Sequence, residues 1–172
     1  MTSSASDTDP SEVVAGACSL PPADYIDETR KLYSGLGYDA YRWAERPETP
    51  AWAAFPDKPI DDLRITLIGS GGIYRVGQEA FHTKDDTSIR SIPTDTAIDQ
   101  LRTAHFAYDQ ADARTDANCV FPLDALRSQL TPNAAAFMGG IYSTRKLEEE
   151  TVPALLAHCR AEEPDLVLLV PV

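Results

Sequence analysis

The sequence predicts an α/β domain built on an open, mostly parallel sheet with flanking helices, and three observations carry that prediction. The runs RITLIG from Arg64 and DLVLLVPV from Asp165 are short and continuously apolar, like strands buried on both faces of a parallel sheet. The first of them runs into a glycine turn at Gly69, Gly71 and Gly72. Between the two, helical and strand patterns alternate, which is the layering of α/β folds.

The elements follow in chain order. Residues 1 to 22 are rich in Ser, Thr, Ala, Asp and Pro and are expected to form a disordered tail. From Asp24, the apolar positions Ile26, Leu32, Tyr33 and Leu36 suit one short amphipathic helix, stopped by Gly35 or Gly37. Pro47, Pro50, Pro56 and Pro59 then fall within 13 residues, beside Trp43, Trp52 and Phe55. Proline fixes φ and removes a donor, so an extended arm pinned by its aromatic side chains is expected up to residue 60. The domain proper spans 61 to 172. After the RITLIG strand come a polar loop at His82–Asp86 and a strand at SIRSIP. AIDQLRTAH reads as a helix capped by Asp95 or Thr96. FPLDALRSQL reads as another, with Pro122 in its first turn. AAAFMGG is a small-residue strand running into a turn. In KLEEETVPALLAHCRAEE, Leu147, Thr151, Leu155 and Cys159 share one helical face, and Pro153 implies a kink or a late start.

Composition narrows the function. Fifteen Lys and Arg stand against 27 Asp and Glu, a net charge of −12. Nucleic-acid binding draws on a basic face, and an anionic membrane surface repels this balance. No apolar run approaches the roughly 20 residues that span a bilayer, and the polar, acidic start is unlike a secretory signal, so a cytoplasmic protein is expected. Cys18, Cys119 and Cys159 form no CxxC pair. With three histidines in the chain they read as free thiols, with no metal site.

Two motifs could carry chemistry. GSGG falls short of the dinucleotide fingerprint G-x-G-x-x-G, because Tyr74 stands where the third glycine belongs and no helix opens there. A tight turn whose backbone amides face a pocket, holding a substrate carboxylate, fits better. In HFAYDQAD, His105 and Asp109 are four apart with Tyr108 and Asp112 nearby. On a helix the carboxylate would orient the imidazole and raise its pKa. The alternative is a helix-ending histidine followed by an Asx turn, with no catalytic role.

Taken together, ITLIGSGG, SIRSIPTDT, LRTAHFAYD, DANCVFPLDALR, AFMGGIY, EEETVPALL and PDLVLLVPV resemble, in that order, the selenoprotein B family. These are the selenol-bearing subunits of the glycine, sarcosine and betaine reductases and of D-proline reductase. The resemblance covers residues 61 to 172 and implies a cytoplasmic oxidoreductase with a disulfide as acceptor. It implies a pocket wall made of Gly71 and Gly72 as backbone donors, His105 with Asp109 as the catalytic acid/base or orienting pair, and Met138, Gly139 and Gly140 as close-approach backbone. Tyr74, Asp95, Tyr108 and Asn118 join these as substrate-binding candidates, and Cys119 is a candidate resolving thiol. Implied partners are a small-molecule substrate, a thiol electron donor, and a second reductase subunit or another copy of the chain.

The resemblance also implies a redox selenocysteine or cysteine just after the last strand, in a short Cys-His motif that the sequence has not reached at Val172. No other cofactor is expected in the chain. Selenocysteine is read from UGA, so an in-frame UGA is expected directly after the Val172 codon, followed by the second half of the α/β fold. The 172-residue chain alone is then expected to be inactive, with an open sheet edge. Between the FPLD helix and FMGG the family carries a longer stretch, and here SQLTPNAAA crosses directly. Two other classes compete with the reductase: a non-catalytic subunit that pairs with a separately encoded partner, and a small-molecule-binding α/β module without redox chemistry.

Overall fold

In the computed structural model, residues 24–40 and 54–172 are described. The chain divides into two units, 1–47 and 48–172. The tail 1–22 and the part of the arm holding Trp43, Pro47, Pro50 and Trp52 lie outside the described residues.

In the first unit, helix α1 (Tyr25–Gly35) starts where a cap is available: Asp24 accepts from the backbone N–H groups of Ile26 and Asp27. Gly37, at φ +83°, turns the chain out of it. Asp27–Arg30 and Glu28–Lys31 are exposed i,i+3 ion pairs of the kind that add only tenths of a kcal/mol.

The second unit holds a four-stranded sheet in the order β3-β5-β1-β6, made of β1 (Ile65–Gly69), β3 (Ile89–Pro93), β5 (Asn133–Phe137) and β6 (Leu166–Val170). β1 pairs parallel with β5 and with β6, while β3 runs antiparallel to β5. The sheet is therefore mostly parallel, as expected. A separate antiparallel ribbon pairs β2 (Ile73–Arg75) with β4 (Leu101–Thr103).

One sheet face, the ribbon and two short helices, α2 (Ala111–Thr115) and α3 (Leu123–Leu126), close a core around Leu67, Ile73, Ile92, Phe121, Leu123 and Ala136. The small Ala134–Ala136 run lets the centre of β5 sit fully buried inside the sheet. Arg64 leads into β1, and its backbone N–H donates to Asp165 Oδ2 (3.0 Å), the residue before β6. After β5 come α4 (Thr144–Lys146), a π-helical turn at Leu147–Thr151 and α5 (Val152–Glu162). Pro153 does not start a helix: Thr151 and Val152 before it already have helical dihedrals. It lies inside one continuous run from Thr144 to Glu162, directly after the π-helical turn that interrupts the regular ladder there, and the late start is not what forms. α5 packs on β5, with Glu162 accepting from the backbone and side-chain N–H groups of Asn133 (3.0 and 2.8 Å).

Two expectations are corrected. AIDQLRTAH is not a helix: Ile98–Gln100 makes a single 3₁₀ turn and Leu101–Thr103 is strand β4. The ribbon wins because pairing with β2 buries Leu101 and Ile73 together in the core, at 5% and 0% exposure. Likewise, β6 is not buried on both faces. Among the described residues it is an edge strand paired with β1 alone, and Val167 and Leu169 remain 38% and 65% exposed.

Candidate functional site

In open α/β sheets the carboxyl ends of the parallel strands are where ligands bind. Here those ends carry Ser70–Gly72 after β1, Met138–Gly140 after β5 and Pro171–Val172 after β6. Ser70 ties all three together. Its N–H donates to Val170 O (3.1 Å), its carbonyl accepts from Gly139 N–H (2.9 Å), and its Oγ accepts from Val172 N–H (2.9 Å).

The glycines at this crest serve close approach by the protein's own chain. A Cβ on Gly139 would lie 2.9 Å from Ser70 Cβ, and one on Gly140 would lie 2.2 Å from the Phe106 ring. Gly72, at φ +68°, would place a Cβ 2.1 Å from the Ala104 carbonyl oxygen. The backbone donors are mostly used internally as well. Gly72 N–H donates to Phe137 O (3.0 Å), Gly139 N–H to Ser70, and Gly140 N–H to Met138 Sδ (3.1 Å). Gly72 is thus no free donor.

The ribbon brings Thr103, His105 and Tyr108 to the same place. Ala104 N–H donates to Gly72 O (2.9 Å), which seats the start of the HFAYD loop beside the crest. Gly71 O lies 3.0 Å from Thr103 Oγ1 and 2.9 Å from the Tyr108 hydroxyl, and the two hydroxyls are 2.9 Å apart. Two protons serve three oxygens there, which holds the Tyr108 ring in place. Burial raises the Tyr108 phenol above its ordinary range, against the hydrogen bond from Thr103, so it stays protonated at neutral pH.

His105 is 6% exposed. Its Nδ1 accepts from Ala107 N–H (3.0 Å), and its buried Nε2 has no partner among the described residues. An unmet buried donor costs about 1–3 kcal/mol. Burial also pushes the imidazole below its ordinary range. The ring packs against Tyr108 (centroids 4.8 Å, tilted) and Phe106 (5.7 Å, stacked), and Phe106 in turn stacks on the exposed Tyr142.

The His105–Asp109 pair does not form. Because the segment is a loop, the i,i+4 spacing no longer places the two on one face. Exposed Asp109 instead accepts from Ala111 N–H (2.9 Å) at the start of α2, which is the Asx-type alternative.

Of the other sequence candidates, Gly71, Gly72, Tyr108, Met138, Gly139 and Gly140 gather at the crest around His105. Tyr74, Asp95 and Asn118 belong elsewhere. Tyr74 is half-buried in β2, opposite Arg102, and Asp95 is exposed in the turn after β3. Asn118 caps α3: its Oδ1 accepts from Asp124 N–H (3.1 Å) and its Nδ2 donates to Asp124 Oδ2 (3.0 Å). Arg127, 2.5 Å from Asp124, and the Asn118 amide hold that carboxyl below its ordinary range. Asn118 also borders an open cleft of about 640 Å³, lined with Asp99, Arg102, Arg114 and Asp116. None of its lining residues belongs to the turns after β1, β5 or β6, and its charged side chains are exposed, so the crest is the stronger candidate. Ser70, Thr103 and Phe106 were not singled out from the sequence. Ser70 alone had a signal, its place inside GSGG directly after a buried strand.

Neither described cysteine is set up as a thiolate. Local desolvation, with the carboxylates of Asp112 and Asp116, pushes the Cys119 thiol up, and burial does the same to Cys159. Cys119 is therefore expected to react with iodoacetamide at pH 7.5 more slowly than free cysteine, as followed by peptide mass spectrometry. Faster alkylation than free cysteine would restore it as a resolving thiol. Among the described residues, no group of three or more His, Cys, Asp or Glu is arranged to hold a metal ion, and no helix is long and apolar enough to cross a membrane.

No family model and no solved structure matches the chain. Among curated proteins, the chain is 31% identical over 128 residues to the D-proline reductase subunit gamma of Acetoanaerobium sticklandii. The match covers 70% of this chain and 52% of the relative, so the chain spans about half the length of the protein it matches. By that shared stretch, the chain is a relative of the D-proline reductase family.

Proposed function

We propose that this chain forms the substrate-pocket wall of a selenol- or thiol-dependent reductase that reductively cleaves a small amino-acid-like substrate, with D-proline the first candidate. The observation that carries the reading is the 31% identity to a subunit named for D-proline reduction. The crest at the strand ends supports it, since it gathers His105, Tyr108 and the Met138–Gly140 turn where α/β sheets bind ligands. In this reading a selenolate or thiolate, supplied from outside the 172 residues, attacks the substrate and displaces its leaving group. A second thiol then resolves the adduct, leaving a disulfide or selenenyl sulfide that a thiol donor reduces. The raised thiols of Cys119 and Cys159 agree with a nucleophile from elsewhere.

A second reading, a non-catalytic subunit, is favoured by one observation: the relative is itself named as a subunit. The test is turnover by protein purified from its native source, with D-proline as substrate and dithiothreitol as donor. Cleavage of the ring C–N bond turns a secondary amine into a primary one, which amine-selective labelling detects. A new primary amine with matching loss of dithiol is expected. Binding of D-proline without any primary amine would replace the reductase by the non-catalytic subunit.

A further inference from the structure

His105 was singled out as half of an acid/base pair, yet its surroundings give it a different task. Accepting a hydrogen bond from Ala107 N–H needs a lone pair on Nδ1. A neutral imidazole carries one ring proton, so that proton sits on Nε2. Protonating Nδ1 would break the Ala107 bond and bury a charge beside apolar side chains, at a site with 6% exposure. The ring neighbours offer no relief: Phe106 has no polar group, and the Tyr108 hydroxyl is engaged with Gly71 and Thr103. Nε2–H is thus a donor locked in one tautomer, buried and without an acceptor among the described residues. Buried donors in folded proteins are nearly always paired, so this one calls for a partner from outside the described residues, and its place beside the strand ends is what points to a bound ligand.

We propose that His105 is a fixed hydrogen-bond donor whose Nε2–H is reserved for an acceptor oxygen, carboxylate or carbonyl, of a small molecule bound at the carboxyl ends of β1 and β5, and that it serves as neither acid nor base. The location rests on the reading of the crest as the substrate pocket; the tautomer does not. A donor with no free lone pair selects against ammonium and other donor groups at this point. Phe106, 40% exposed and stacked on the imidazole, is the side chain whose displacement opens the ring to solvent.

The test starts without any ligand. Long-range ¹H–¹⁵N spectra of the imidazole at pH 7 are expected to show a protonated Nε2 and an unprotonated Nδ1. Sodium acetate and acetamide are then titrated as separate probes. Movement of the Nε2 resonance by acetate alone identifies a carboxylate, and movement by acetamide identifies a carbonyl. Methylammonium is expected to move nothing. Two variants separate donor from base. His105→Gln keeps an N–H near the Nε2 position and should bind the effective probe nearly as well as the parent. His105→Leu should weaken it about tenfold, the loss of one hydrogen bond. An Nδ1–H tautomer, an Nε2 resonance unmoved by both acetate and acetamide, or a folded His105→Gln as impaired as His105→Leu would each overturn the proposal. A failure to turn over D-proline with the tautomer as stated would count against the reductase reading and leave the locked donor standing.

Discussion

Gly72→Ala is expected to cost about 4 kcal/mol or more, or to prevent folding of the 48–172 unit altogether. Two penalties add at this position. The φ of +68° lies in the left-handed region, where a side chain costs about 1–3 kcal/mol at most sites. The new Cβ would also meet backbone, 2.1 Å from Ala104 O and 2.9 Å from Ala104 C. Backbone cannot swing away as a side-chain tip can, and this stretch is held: Ala104 N–H donates to Gly72 O, and β4 is laddered to β2. The collision would therefore have to part the ribbon from the crest and take Ile73 and Leu101 with it. Gly77→Ala is the matched control. It shares the strain, at φ +92°, but has nothing within 4 Å of the added atom, so about 1–3 kcal/mol is expected. Urea unfolding of both variants separates strain from collision. Equal losses would mean that the ribbon can yield at Ala104, and that the crest is looser than its contacts imply.

That contact also shows where sequence reasoning ran out. The apolar runs at Ile65 and Leu166 were legible as strands because burial in a parallel sheet leaves a continuous hydrophobic signature. The end of α1 was legible because Gly37, one of the two stops offered, lies just outside a helical pattern, whereas the Asp24 cap emerges only in the structure. Ile98, Leu101 and His105 also repeat at helical spacing, but that segment is resolved by a partner thirty residues upstream, Ile73–Arg75, which no local pattern contains. The error then spread. An i,i+4 relation has geometric meaning on a helix alone, so once the helix was gone the His105–Asp109 pair went with it. The glycine-rich words show a related limit. GSGG and FMGG announce that something approaches the backbone closely, but glycine has no side chain with which to name the visitor. Here the visitors are Phe121, Val120, Ala104, Ser70 and Phe106 of the same chain. What the sequence and the fold share about the candidate site is its address at the strand ends. Its chemistry, above all the tautomer of His105, depends on one loop amide that only the fold brings to Nδ1.

The second large effect is expected at Phe121, where Phe121→Ala should cost about 3–5 kcal/mol, because the ring is fully buried where α3 meets the sheet. The more informative measurement couples it to Gly69. A Cβ on Gly69 would lie 2.6 Å from Phe121 Cδ2 and 3.1 Å from Cε2, so the last residue of β1 is glycine because the ring lies on it. Gly69 does not have a positive φ, so alanine is acceptable to the backbone and the penalty is steric. Gly69→Ala alone should cost about 1–3 kcal/mol, since the ring is hemmed in by Leu67, Val120 and Leu123 and cannot turn aside freely. Phe121→Leu removes the offending ring atoms, at a cavity cost of its own. In the double variant the new methyl group enters the space the ring has left. Its loss should be smaller than the sum of the two single losses by about 0.5–3 kcal/mol. Additivity to within about 0.5 kcal/mol would mean that Gly69 and Phe121 are not in contact. The register of α3 on the sheet would then have to be redrawn, and with it the position of Val120, which packs on Gly71 at the crest.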